Sequence, residues 1–290
     1  MSAPMPLRTP GEMLALQGAC LAIVAVWLVL RLHRAADKRT FLARFLLLSV
    51  AAWVGEETCI RLYAFYAYSP GWAGFIDRVP LAIVCIWPVV VLSAMDLASA
   101  LLGGREDATP SPRASVKFAF VVMALVVADA SLIEPIAVAT GLWHWTEPGP
   151  FRVPIVGILG WGYFAFGAAL VRGRTSVLLA GPASAHAWLV ASWWFFFRWL
   201  PRGEDELPFV VAAALVSFAL TALVLARRVS LLRADLVTRI PGATFFFFLL
   251  LLYARENTSL VLYAFAFAPP YLALTVRSRS NRPMVSPTST

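Results

Sequence analysis

Two stretches of this chain carry the same ordered series of residues, and that repetition limits what it can fold into more than any other feature. Glu57 is followed by Tyr66 and Tyr68, then Pro70, then Arg78-Val79-Pro80, then Trp87. Glu134 is followed by Trp143 and Trp145, then Pro148, then Arg152-Val153-Pro154, then Trp161. The spacing from acid to aromatic pair is the same in both copies, and so is that from the Arg-Val-Pro triplet to the tryptophan. Only the loop between them differs, by three residues. The series predicts two equivalent hairpins, each delivering a carboxylate and two aromatic rings to the same depth.

Depth has meaning because the chain reads as a membrane protein. Of its 290 residues, 60% are hydrophobic and 14% charged, where a soluble domain carries about 25% charged residues. Apolar stretches of bilayer length recur, predicting an all-α, polytopic transmembrane bundle. Expected spans are 12–32, 41–64, 79–102, 116–139, 153–171, 175–200 and 207–227. Region 241–276 is interrupted by Arg255-Glu256-Asn257, and each half is shorter than the ~20 residues a span requires. About seven to nine membrane segments follow. They form one integral membrane domain over 1–290: hairpin A at 41–102, hairpin B at 116–171, C-terminal spans in 175–276 and a disordered tail at 277–290. The N-terminus has no charged n-region before a short cleavable apolar run, so the first apolar segment is expected as a retained span.

A net charge of +8 does not point to nucleic acid, because the basic residues lie between apolar spans, where they set topology. One set of loops holds fourteen: Arg31, Arg34, Lys38, Arg39 and Arg44; Arg105, Arg113 and Lys117; Arg172 and Arg174; Arg227, Arg228, Arg233 and Arg239. The opposite side holds five: Arg8, Arg78, Arg152, Arg198 and Arg202. By the positive-inside rule the N-terminus faces out, and both hairpins run in–out–in as parallel repeats. Cys20, Cys59 and Cys85 sit inside apolar segments without metal-ligand or disulfide spacing. No nucleotide-binding glycine motif is present, so no nucleotide, flavin or metal cofactor is expected.

Ionisable groups at bilayer depth cost roughly 2.5–3.5 kcal/mol each and mark functional sites by default. Glu57 lies roughly 24 Å up its span, Glu134 roughly 27 Å and Asp129 roughly 20 Å. These three are the expected catalytic acids, sharing one cavity in the outer half of the bundle. Tyr66, Tyr68, Trp143, Trp145 and Trp161 are its expected wall, since aromatic faces suit a cationic intermediate. An ion pair from Glu57 to Arg61, four residues on, is the plain alternative for that one acid. Glu56 points elsewhere on its helix. Asp129 and Glu134 stand about 140° apart around theirs, unless Pro135 bends it. Asp96 falls near the cytoplasmic end, His144 in a hydrated outer loop, and His186 on an apolar helix as a bonded core residue.

The stretch DASLIEPIAVATGLWHWTEPGPFRVPIVGILGWGYFAFG resembles the signature region of the integral-membrane carotenoid hydratases, and GEETCIRLYAFYAYSPGW is similar to their first acidic hairpin. The resemblance covers roughly residues 50–170. It implies a hydro-lyase that adds water to the terminal double bond of an acyclic carotene without a cofactor, in the bacterial cytoplasmic membrane. Its implied partners are the lipid-soluble polyene, membrane lipids and other enzymes of the pathway. Carboxylic-acid protonation of an alkene fits the buried acids. Two alternatives stay open: a membrane lycopene-type cyclase, whose cation is quenched by an internal double bond, and a proton-coupled transporter or lipid-binding protein.

Overall fold

The computed structural model describes residues 9–103, 111–171, 175–199, 205–227 and 236–275. The expected tail 277–290 and the loop residues Arg8, Arg105, Arg172, Arg174, Arg202, Arg228 and Arg233 lie outside the described residues. The chain folds as an all-α membrane bundle: α1 (Pro10–Arg34), α2 (Lys38–Tyr63), α3 (Leu81–Leu101), α4 (Pro112–Ala139), α5 (Ile155–Val171), α6 (Val177–Phe195) and α7 (Leu207–Ala226). The interrupted region resolves into α8 (Ile240–Tyr253), then, after the break at Arg255–Asn257, α9 (Thr258–Phe265) and α10 (Ala268–Thr275).

Local sequence sets the helix starts. Thr9 and Glu12 form a reciprocal capping box at α1, with Pro10 in the first turn. Asp37 accepts from the amides of Arg39 (2.9 Å) and Thr40 (3.2 Å) at α2, and Ser111 accepts from Ala114 (3.2 Å) at α4. Each cap satisfies amides that the first turn leaves without intrahelical partners.

Among the described residues five helical stretches are long and apolar enough to cross a membrane: α1, α3, α4, α7 and the Thr258–Thr275 stretch that comprises α9 and α10. In α7 only 6% of the apolar window is buried, so Leu207, Val211, Leu215 and Phe218 face outward. A helix apolar all round belongs in lipid. At the end of α6, Arg198 stacks on Trp194 and Trp199, 4.0 and 4.1 Å from the ring centroids, as interfacial aromatics do.

The strands that follow α2 and α4 pair with each other in a register that places equivalent residues of the two hairpins opposite one another. Strand β1 (Tyr66–Tyr68) follows α2 and strand β4 (Trp143–Trp145) follows α4. They pair antiparallel, Tyr66 with Trp145, Ala67 with His144 and Tyr68 with Trp143. The flanking bonds follow the same register: Ser69 N–H donates to Leu142 C=O (3.0 Å) and Thr146 N–H to Phe65 C=O (2.7 Å). Equivalent residues also share unusual backbone. Ala64 (φ 52°) matches Gly141 (φ 78°), and Asp77 (φ 55°) matches Phe151 (φ 53°), each pair occupying the left-handed region. A second short ribbon, β2 (Phe75–Ile76) with β3 (Val79–Pro80), closes the first hairpin's loop.

Helices α2, α3, α4 and α5 flank the paired strands and pack on one another. The α3–α4 seam is packed directly, whereas α6 wedges between α5 and α2 and packs on both. Glycine makes the α5–α6 approach close: a Cβ on Gly167 would lie 2.1 Å from the Ala180 carbonyl oxygen. α1 packs on α3, α8 on α4 and α1, and α7 gathers α9 and α10 at the periphery.

Candidate functional site

Each hairpin folds its own aromatic residues around its own carboxyl group. Glu134 on α4 is 2% exposed. Its Oε2 accepts from the indole N–H of Trp143 (2.8 Å) and Trp145 (2.9 Å), and its Oε1 from that of Trp161 (2.7 Å) on α5. In the first hairpin the equivalent acid is Glu56. Its Oε2 accepts from the hydroxyls of Tyr66 and Tyr68 (2.9 Å for Tyr68), and its Oε1 from the indole N–H of Trp87 (2.9 Å) on α3. Hydrogen bonds to a charged acceptor are worth about 1.5–3 kcal/mol each, which is how a carboxylate is tolerated in an apolar interior. Among the described residues neither carboxyl has an ion-pair partner. Burial, then the adjoining Glu56 carboxylate, holds the phenols of Tyr66 and Tyr68 well above the usual tyrosine range, so both stay protonated donors.

The two cages meet ring to ring. Trp87 and Trp161 stack with centroids 4.4 Å apart, Tyr66 lies 4.7 Å from Trp145, and Tyr68 lies 5.8 Å from Trp143. Glu56, Glu134 and all six of their donors line one cavity of about 80 Å³, whose other walls are apolar, among them Ile83, Ile86, Ile133, Val156, Leu189 and Phe246. One size asymmetry fits the two cages together. A Cβ on Gly157 would sit 2.5 Å from the Trp145 ring, so the larger ring of the second hairpin needs glycine beneath it. In the first hairpin the smaller Tyr68 goes with Ile83.

Of the residues expected from sequence, the structure thus assembles Glu134, Tyr66, Tyr68, Trp143, Trp145 and Trp161 around the cavity. Glu57 does not line it. One residue further along α2 than Glu56, it is turned about 100° away, takes Arg61 as an i,i+4 partner at 2.6 Å and accepts the Arg78 amide at 3.0 Å. Asp129 does not line it either. It is paired with Arg239 and accepts from the Tyr271 hydroxyl at 3.4 Å, tying α4 to the C-terminal helices. Arg239, expected among the loop charges, is therefore partly buried as the partner of Asp129 and drops out of the charge comparison. Asp96 pairs with Arg31 at 2.8 Å. His144 is exposed, and His186 is held by Thr58 Oγ1 (2.7 Å) and the Tyr63 hydroxyl (2.8 Å).

Glu56 and Trp87 line the cavity without having been expected there, although Trp87 stands in the repeated series. A usable signal existed for the first: Arg61, four residues after Glu57, marks Glu57 as the paired acid and leaves Glu56 to face inward. For Asp129 the expected result of substitution follows from its pairing. Asp129→Asn leaves the partly buried Arg239, 13% exposed, without its counter-charge, a loss that reaches at most the roughly 3–5 kcal/mol of a fully buried pair. The expected outcome is a markedly lower unfolding temperature in detergent, with the cavity left intact in the protein that remains folded.

The sequence model of the carotenoid biosynthesis protein family matches residues 13–226. The chain is a member of that family. It acts in carotenoid biosynthesis, a role that implies a lipid-soluble polyene as substrate. The matched segment of this carotenoid biosynthesis protein runs from α1 to the end of α7, so both carboxyl cages lie within it. Only Phe245 and Phe246, among the cavity-lining residues, fall outside. No curated protein and no solved structure matches the chain.

Proposed function

We propose that this carotenoid biosynthesis protein is a cofactor-independent hydratase that adds water to the terminal double bond of an acyclic carotene. The observation that carries the reading is the pair of buried carboxyls facing one apolar cavity, each held by aromatic donors and, among the described residues, neither matched by a cation. Such a site favours a ligand on which positive charge develops. Glu134 gives its proton to the less substituted carbon of the end group, and the π electrons form the new C–H bond. The tertiary cation left behind is stabilised by two carboxyl groups and the surrounding ring faces. Water attacks the cation, forming the C–O bond, and the oxonium proton passes to Glu56. Proton balance closes when Glu56 releases that proton and Glu134 regains one; no electrons are exchanged.

The two cages suit different halves of this sequence. An indole N–H only donates, so Glu134 exchanges its proton with the ligand and with no neighbour. Phenols both donate and accept, so Tyr66 and Tyr68 can hold the attacking water beside Glu56. Glu56 thereby takes the water-handling part, in the place among the catalytic acids where Glu57 was expected. The basic residues that remain at the ends of α1, α2 and α4 away from the strands support a cytoplasmic-membrane protein with its N-terminus and strand end outside. Expression in a bacterial host that accumulates lycopene tests the reading. The expected pigment is heavier than its precursor by one water per reacted end. An isomer of unchanged mass would make the protein a cyclase, and unchanged pigment would favour a transport or lipid-binding role.

A further inference from the structure

The family match stops at residue 226, but the cavity wall does not. Among the described residues beyond it, Phe245 and Phe246 of α8 reach the cavity. Side chains of adjacent residues point about 100° apart on a helix, so α8 meets the bundle along the direction between these two. The next turn agrees: Leu249 and Leu250 are fully buried, whereas Phe248, Leu251 and Leu252 are about half exposed. The Arg239–Asp129 pair marks where α8 comes alongside α4. From that pair Phe245 lies six residues on and Glu134 five, roughly 9 and 7.5 Å of helix rise, so both helices bring a residue to the level of the cavity. α8 packs on α4 and α1, and Ile133 of α4 and Cys20 of α1 line the wall with its two phenylalanines.

The inward face of α8 changes character at this level. Away from the cavity it is leucine, at Leu249 and Leu250. At the cavity it is two phenylalanines set edge to face, with ring centroids 5.3 Å apart, an arrangement in which each ring braces the other. The space left in front of this wall is about 80 Å³, near half of the roughly 150 Å³ that takes up one benzene ring. The end of an open-chain carotene, a carbon bearing two methyl groups, is smaller than benzene, and an end closed into a methylated ring is larger. We propose that Phe245 and Phe246 are specificity-determining residues, which hold the cavity to the size of an open-chain end and shut out a cyclised one. A segment outside the family match thereby completes the site. The inference rests on the reading that a carotene places its end beside Glu134 and Glu56.

The test is selective retention of pigment, which does not depend on turnover. Each variant is produced in cells that accumulate lycopene and in cells that accumulate β-carotene, whose chain is the same but whose ends are both cyclised. After purification in detergent, bound carotenoid per protein is read from visible absorption. Wild type is expected to retain lycopene or its product at least about tenfold over β-carotene, because an oversized group does not enter a packed wall. Phe245→Ala and Phe246→Ala each add about the space of a phenyl ring, and should bring the two pigments to within about twofold. Phe248→Ala, on the outward face of the same helix, should discriminate as wild type does. Monodisperse elution shows which variants have folded. If the alanine variants aggregate, Phe245→Leu and Phe246→Leu take their place, with a preference between those of wild type and the alanine variants. Full wild-type preference in folded variants at both positions overturns the proposal, as does a wild-type protein that retains both pigments equally or neither. Selectivity that depends on the two phenylalanines, in a protein that never adds water, leaves the wall standing and removes the hydration reading.

Discussion

Replacing Glu134 by glutamine is expected to reduce hydrated product by about 10²–10⁴-fold, the usual cost of removing a general acid. The amide keeps the size of the side chain, and its carbonyl oxygen can still accept from Trp143 and Trp145, which share Oε2 in the native cage. The amide nitrogen then faces the Trp161 indole, donor against donor, where Oε1 accepts at 2.7 Å. One unmet buried donor costs about 1–3 kcal/mol, so the variant should fold, insert and still retain polyene while losing turnover. Product and bound pigment measured on the same preparation separate these effects. Wild-type levels of hydrated pigment from Glu134→Gln would remove Glu134 as the proton donor.

The second large effect is a contrast between adjacent residues. Glu56→Gln is expected to lose product on the same scale as Glu134→Gln, because it takes away the group that accepts the proton of water. Glu57→Gln is expected to keep product near wild type. Its partner Arg61 is about half exposed, so the lost ion pair is worth only about 0–1 kcal/mol, and the amide oxygen can still accept the Arg78 amide. The opposite pattern, with Glu57→Gln inactive and Glu56→Gln active, would restore the register read from spacing alone and remove the cage around Glu56 from the mechanism.

That contrast marks the limit of what spacing conveys. The aromatic pairs, the Arg-Val-Pro triplets and the two tryptophans were legible because strand pairing and a short loop fix their offsets in both hairpins. The acid of the first hairpin was not, because the two helices end differently. α4 closes with Thr140 as cap and Gly141 left-handed, and the Leu142 amide bonds back to the Ala137 carbonyl. In α2 the cap residue Ala64 is itself left-handed. Eight residue steps separate Glu56 from Ala64, where seven separate Glu134 from Gly141. A one-residue difference turns a side chain about 100° on a helix, enough to exchange the cavity for the Arg61 guanidinium and the Arg78 amide. Asp129 shows a different limit. Its partner Arg239 lies 110 residues away and reads locally as a loop cation; only tertiary packing brings the two together. In region 241–276 the Arg-Glu-Asn interruption was visible, but how α8, α9 and α10 seat against α4 and α7 was not.

The most direct test of the central claim is isotopic. Membranes carrying the wild-type protein are supplied with lycopene in water enriched in oxygen-18, and in a parallel sample in deuterated water, and the pigments are analysed by mass. Hydration through a carboxyl-generated cation predicts one oxygen-18 and one non-exchangeable deuterium per reacted end, with neither label in the Glu134→Gln and Glu56→Gln samples. A product that carries deuterium without labelled oxygen, at the mass of a labelled isomer, or labelling that persists in both glutamine variants, would contradict the account.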